Sequence, residues 1–197
     1  IEHCSPKDVP KAAADFPDLT FILYHSGFKG PEAGLAAAEN DFKDSSYIPW
    51  VSDICEARKK NPKMMNVYME LGSTFGMTAI TSPMLCGHIL GMILEAFGPD
   101  HVLWGTDSIW WGSPQWQIEA FRRFQMPEAL MKRFGYKPLT REVKDKILGL
   151  NSARVYGVDV KAKMNAIPND YVTKLKAEYR NEGGLPSNTQ YGWVFGR

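Results

Sequence analysis

His101-Val-Leu-Trp-Gly-Thr-Asp107 is the stretch from which the rest of the chain is read. Val102, Leu103 and Trp104 form a short unbroken apolar run, the pattern of a strand buried on both faces of a parallel sheet. Gly105 and Thr106 are small, and a carboxylate, Asp107, follows where the strand should emerge. Ser113-Pro114 then has the form of an N-cap and first position of a helix. In (β/α) architectures chemistry is placed at the carboxyl ends of strands, so Asp107 is the leading functional candidate.

Two further stretches share this punctuation. Leu19-Thr-Phe-Ile-Leu-Tyr-His25 is an apolar run ending in a polar side chain, with Ser26-Gly27 turning the chain away. Asn66-Val-Tyr-Met-Glu-Leu71 is a third strand candidate, leaving through Gly72-Ser73. Helices are expected between and around them. Ser5-Pro-Lys-Asp8 has the form of a capping box for a helix over 9–16. The long connection 28–48 suggests a lid or helical insertion around 33–39. A helix is expected over 50–60, and another over 83–97, where Leu85, Ile89, Met92, Ile93 and Phe97 recur at helical spacing before Gly98. Helices are also expected at 114–124, 141–148 and 152–156. Glu70 interrupts an apolar strand, where an unpaired charge is expensive; it either faces the barrel mouth or makes a structural ion pair. The sum is α/β with parallel strands.

Composition narrows the function. The 197 residues carry a formal net charge of +1 with acids and bases interspersed, so there is no electrostatic case for nucleic acid or an acidic membrane surface. The longest apolar run, within 83–97, is broken by His88 and too short to span a bilayer. Three scattered cysteines, Cys4, Cys55 and Cys86, lack metal-type spacing and read as free thiols of a reducing, cytoplasmic setting. No Gly-rich phosphate loop of standard spacing occurs. The chain opens on Ile1 in mid-pattern, and an upstream segment is expected.

Three phrases, 16–27 (Phe-Pro-Asp-Leu-Thr-Phe-Ile-Leu-Tyr-His-Ser-Gly), 97–107 (Phe-Gly-Pro-Asp-His-Val-Leu-Trp-Gly-Thr-Asp) and 151–157 (Asn-Ser-Ala-Arg-Val-Tyr-Gly), together resemble the amidohydrolase-related family, in its aminocarboxymuconate-semialdehyde decarboxylase-like branch. The resemblance runs over about residues 5–158. It implies a (β/α)₈ barrel of the TIM type, of which this chain would carry about the last three βα units, with residues 1–158 as the C-terminal part of the barrel and 159–197 as an extension or arm. It also implies a divalent metal, usually zinc, at the barrel mouth. Carried over residue by residue, Asp107 binds the metal or its water, and His25 sits beside it as acid/base. These types suit the chemistry: a carboxylate holds a cation, a metal lowers the pKa of bound water, and imidazole moves a proton near neutral pH. The family's first-strand His-x-His pair is missing here, so the remaining metal ligands are expected outside this chain.

The resemblance therefore implies a metal-dependent hydrolase or decarboxylase acting on a small organic carboxylic, amide or ester substrate. Trp110, Trp111 and Phe28 are the candidates for lining its pocket. The missing ligands also leave room for a non-catalytic scaffold or interaction subunit that retains a partial barrel. Three parallel strands with open edges require either the N-terminal part of the barrel or a second copy of the chain as partner.

Overall fold

The structure, a computed structural model, describes residues 4–166 and 170–184, apart from the side chains of Pro31, Glu32, Ile109, Trp111 and Asn165. The aromatic-rich arm expected at 188–197 lies outside the described residues. The chain divides into two compact units, Ile1–Ser152 and Ala153–Arg197.

The first unit is α/β. Its sheet has three parallel strands in the order β1 (Phe21–Leu23), β2 (Val67–Glu70), β3 (Val102–Leu103). All three fall inside the apolar runs, but each is shorter than its run. The register pairs Ile22 with Tyr68 and Glu70 with Leu103. Side chains alternate across a strand, so this register sorts them between two faces. Val67, Met69 and Val102 enter the buried core, with Phe21 and Leu23 packed against it. Ile22, Tyr68, Glu70 and Leu103 belong to the opposite face. Asn66 fixes the start of β2 by donating its side-chain amide toward the carbonyls of Ala13, Phe16 and Leu19.

Helices cover the core face. α1 (Val9–Asp15) follows a 3₁₀ turn over Pro6–Asp8. Ser5 makes no side-chain cap bond there, so the expected capping box is not used. The long connection after β1 holds α2 (Gly30–Ala33) and α3 (Leu35–Asp44), a helical insertion longer than the one expected. α4 (Val51–Lys60) turns Ile54 and Cys55 inward and leaves Lys59 and Lys60 in solvent. α5 (Gly72–Thr78) is a short helix that the apolar periodicity did not announce. α6 (Pro83–Phe97) is the central one, with Leu85, Ile89, Ile93 and Phe97 buried at the expected spacing. Gly87 and Gly91 lie one turn apart on it and admit close neighbours. A Cβ would meet Pro127 Cδ at 2.7 Å from Gly87 and Tyr136 Cδ2 at 2.2 Å from Gly91.

After β3 come α7 (Ser108–Trp111), α8 (Pro114–Arg123) and α9 (Glu128–Phe134). Ser113 caps α8 as expected, accepting from the Gln115 N–H at 3.3 Å. α10 (Arg141–Asp145) widens through a π-turn over Lys146–Leu150 and runs into α11 (Asn151–Val155). The buried Asn151 amide donates to the carbonyls of Pro99 and Val102, both at 2.8 Å, tying this segment to the start of β3.

The second unit contains α12 (Val160–Asn165) and α13 (Tyr171–Asn181), capped by Asp159 and Asp170, which accept from Ala162 N and Thr173 N. Tyr171, Val172, Leu175 and Tyr179 of α13 are all exposed, and without a buried stripe the sequence offered no period to read there. No helix among the described residues is long and apolar enough to cross a membrane.

Candidate active site

The carboxyl ends of the three strands converge, and the central one organises the other two. β1 leaves the sheet through Tyr24–Gly27, where His25 and Ser26 both take left-handed backbone conformations, with φ of 55° and 53°. Each such non-glycine residue costs about 1–2 kcal/mol unless its surroundings hold it. Here they do. The His25 N–H donates to Glu70 Oε2 at 3.0 Å, Ser26 Oγ donates to the Glu70 carbonyl at 2.9 Å, and Thr74 Oγ1 donates to the His25 carbonyl at 2.6 Å. Every one of these partners lies in the exit of β2 or the first turn of α5.

β3 leaves through Gly105-Thr106-Asp107, and Asp107 is again left-handed, at φ 45°. Its carboxylate meets the β2 exit too. Ser73 donates twice to Asp107 Oδ2, from its backbone N–H at 3.0 Å and from Oγ at 2.6 Å. His25 Nδ1 lies 3.2 Å from the same oxygen and 3.2 Å from the Ser73 nitrogen. The side chains of His25 and Asp107 remain 35% and 30% exposed, which leaves the pair open to a substrate. On the far side, Gln117 donates to the Thr106 carbonyl at 2.7 Å and steadies the approach to Asp107.

Glu70 is the charge that the sequence left without a partner. Its residue is 9% exposed and its carboxyl lies between the His25 backbone and Gly105. Burial raises its pKa above the ordinary carboxylate value, while the hydrogen bond from the His25 N–H and the charge of the His25 ring pull the other way. Gly105 makes this placement possible: a Cβ there would stand 1.5 Å from Glu70 Oε1. Sequence reasoning gave Gly105 only as a small residue and took Gly72-Ser73 as a mere exit. Ser73 had no sequence signal beyond its place directly after a strand end.

His25 and Asp107 are therefore brought together across an intervening strand. The three pocket candidates are not gathered around them in the same way. Phe28 is 4% exposed and belongs to the hydrophobic core, packed over Gly30, so the expectation that it lines a substrate pocket is corrected: an apolar ring following a turn gained more by burial. Trp110 is 78% exposed. The side chain of Trp111 lies outside the described residues. His88 and His101 are buried and structural in their contacts. His88 joins the Ser46 carbonyl to the Tyr136 hydroxyl, and His101 bonds the Val67 carbonyl and stacks on Tyr68 at 4.8 Å.

A family model described as Amidohydrolase matches residues 2–158. The chain belongs to the amidohydrolase family. No curated protein and no solved structure gives a significant match. Membership of the amidohydrolase family supports a hydrolase-type function, and amidohydrolase domains are typically TIM barrels that bind divalent metals. The donors at this site are of suitable types, an imidazole and a carboxylate. Their number falls short: no group of three or more His, Cys, Asp or Glu side chains able to hold a metal occurs among the described residues. A catalytic zinc takes three protein ligands, so these residues alone do not complete such a centre.

Proposed function

We propose that this amidohydrolase is a metal-dependent hydrolase or decarboxylase, of the aminocarboxymuconate-semialdehyde decarboxylase-like branch, acting on a small carboxylic, amide or ester substrate. The observation that carries the reading is the meeting of His25 and Asp107 at 3.2 Å from the exits of two non-adjacent strands. A carboxylate beside an imidazole orients the ring, and imidazole is the side chain suited to proton transfer. In this reading His25 transfers the proton and Asp107 is the one metal donor supplied by these residues. Zinc is the cofactor, and its other ligands come from outside this chain.

The same reading makes the chain the C-terminal part of a (β/α)₈ barrel, residues 1–158, followed by an extension over 159–197. Its support is a three-stranded parallel sheet with two outer strands and a site short of ligands. The N-terminal part of the barrel or a second copy completes it, in the cytoplasm. Metal content and hydrolytic activity of the complete protein, measured with and without Asp107→Ala, test the assignment. Loss of bound metal and of activity is expected; unchanged metal and activity would sink it.

The shortfall in donors favours one other reading, a scaffold subunit that has kept part of the barrel and lost the chemistry. A purified protein that is metal-free and inactive, yet assembles with itself, would select that reading.

A further inference from the structure

We propose that Ser73 is the positioning residue of the site: it pins one oxygen of Asp107 and so decides that the other faces the reacting groups. The inference rests on the reading of Asp107 as a working carboxylate.

The geometry is specific. A carboxylate can accept about four hydrogen bonds, two at each oxygen. Among the described residues, both protein hydrogen bonds to Asp107 fall on Oδ2, and both come from Ser73. The His25 ring approaches Oδ2 as well. Oδ1 is left for a ligand. One of the two donors is a backbone N–H in the first turn of α5, whose position the helix sets and which also reaches His25 Nδ1 at 3.2 Å. The hydroxyl, at 2.6 Å and donating to an anion, has the length of a charge-assisted bond, the stronger class.

Asp107 has reason to need this anchor. It is left-handed, at φ 45°, and caps α7 without any side-chain cap bond, so its own turn does not orient its carboxylate. Ser73 does so from the first turn of α5. It is 6% exposed and lies in the segment after β2 with Glu70 and Thr74, which hold the His25 backbone. One five-residue segment, 70–74, therefore sets both partners of the pair: Glu70 and Thr74 place the imidazole's backbone, and Ser73 places the carboxylate. Because its backbone N–H reaches His25 Nδ1 too, Ser73 touches both members of the pair.

The test is NMR on the complete protein, following the Asp107 side-chain ¹³Cγ signal in H₂O and D₂O. A carboxylate that accepts from an exchangeable hydroxyl and an amide shows a resolved isotope shift. The wild-type protein is expected to show it. Ser73→Ala should reduce it to the amide contribution and move the Asp107 signal, with the far-UV spectrum unchanged, and Ser73→Thr should restore it. Thr74→Ala, which loses a bond to His25, should leave the Asp107 signal in place. A wild-type signal without any isotope shift overturns the inference without recourse to a variant, and so does a Ser73→Ala signal that superimposes on wild type. Neither result depends on metal or turnover. Failure of the functional reading would show instead as activity that survives Asp107→Ala while the Ser73-dependent shift persists.

Discussion

Gly105 illustrates how much of the site is decided by single atoms. A methyl group there would overlap Glu70 Oε1 at 1.5 Å and approach Gly72 Cα at 3.3 Å. A long acidic side chain would normally swing aside at little expense. This one is held by the His25 N–H, so moving it breaks the bond that supports a left-handed residue. Gly105→Ala is therefore expected to destabilise the protein by about 1–3 kcal/mol, in the range of an overpacked core position. It should also shift the backbone amide signal of His25. A thermal melt and an amide spectrum check this; a variant as stable as wild type with His25 unmoved would refute it. The sequence marked Glu70 as an expensive charge in an apolar strand, and that much was legible. The partner was not. It is a backbone N–H made available only because His25 turns left-handed, and side-chain type carries little trace of that.

Elements were legible in proportion to how one-sided their burial is. α6 shows Leu85, Ile89, Ile93 and Phe97 at helical spacing and was readable end to end. α5 was not, because its residues Gly72, Ser73, Thr74, Phe75 and Thr78 are buried regardless of polarity, so no stripe contrasts with a solvated face. α13 fails for the opposite reason, having no buried residues among those described. Between α6 and its neighbours, His88 is the polar joint. Its imidazole bonds the Ser46 carbonyl at 2.8 Å and the Tyr136 hydroxyl at 3.0 Å, with Phe42 and Phe134 against its faces. Burial holds its pKa below the ordinary 6.5; Arg133 acts in the same direction and the Ser46 bond opposes it. The neutral ring is thus the folded form. Its contribution to stability is complete above the unfolded-state pKa and is lost as pH falls through the lower, folded one. The melting temperature of wild type should therefore drop more steeply below about pH 6.5 than that of His88→Gln. Parallel curves would contradict the assignment.

For the whole molecule, the parallel sheet followed from three apolar runs, each ending in small or polar residues. His25 and Asp107 were read as strand-end residues, and the structure brings their side chains to 3.2 Å, whereas Phe28, close to His25 in sequence, is a core residue. Among the described residues the sheet's outer strands, β1 and β3, each pair with β2 alone. Open strand edges are a liability unless something covers them. The 197 residues by themselves are accordingly expected to self-associate or to melt over a broad range; a sharp two-state melt of a verified monomer would speak against it.

The central claim is that His25 and Asp107 work as one unit. A double-mutant cycle on the complete protein, with kcat/KM for hydrolysis of a nitrophenyl ester as the readout, tests it most directly. His25→Ala and Asp107→Ala should each remove most of the activity, and the double variant should lose little more than either alone. Losses that multiply, or a single variant that retains wild-type activity, would show that the two residues act apart.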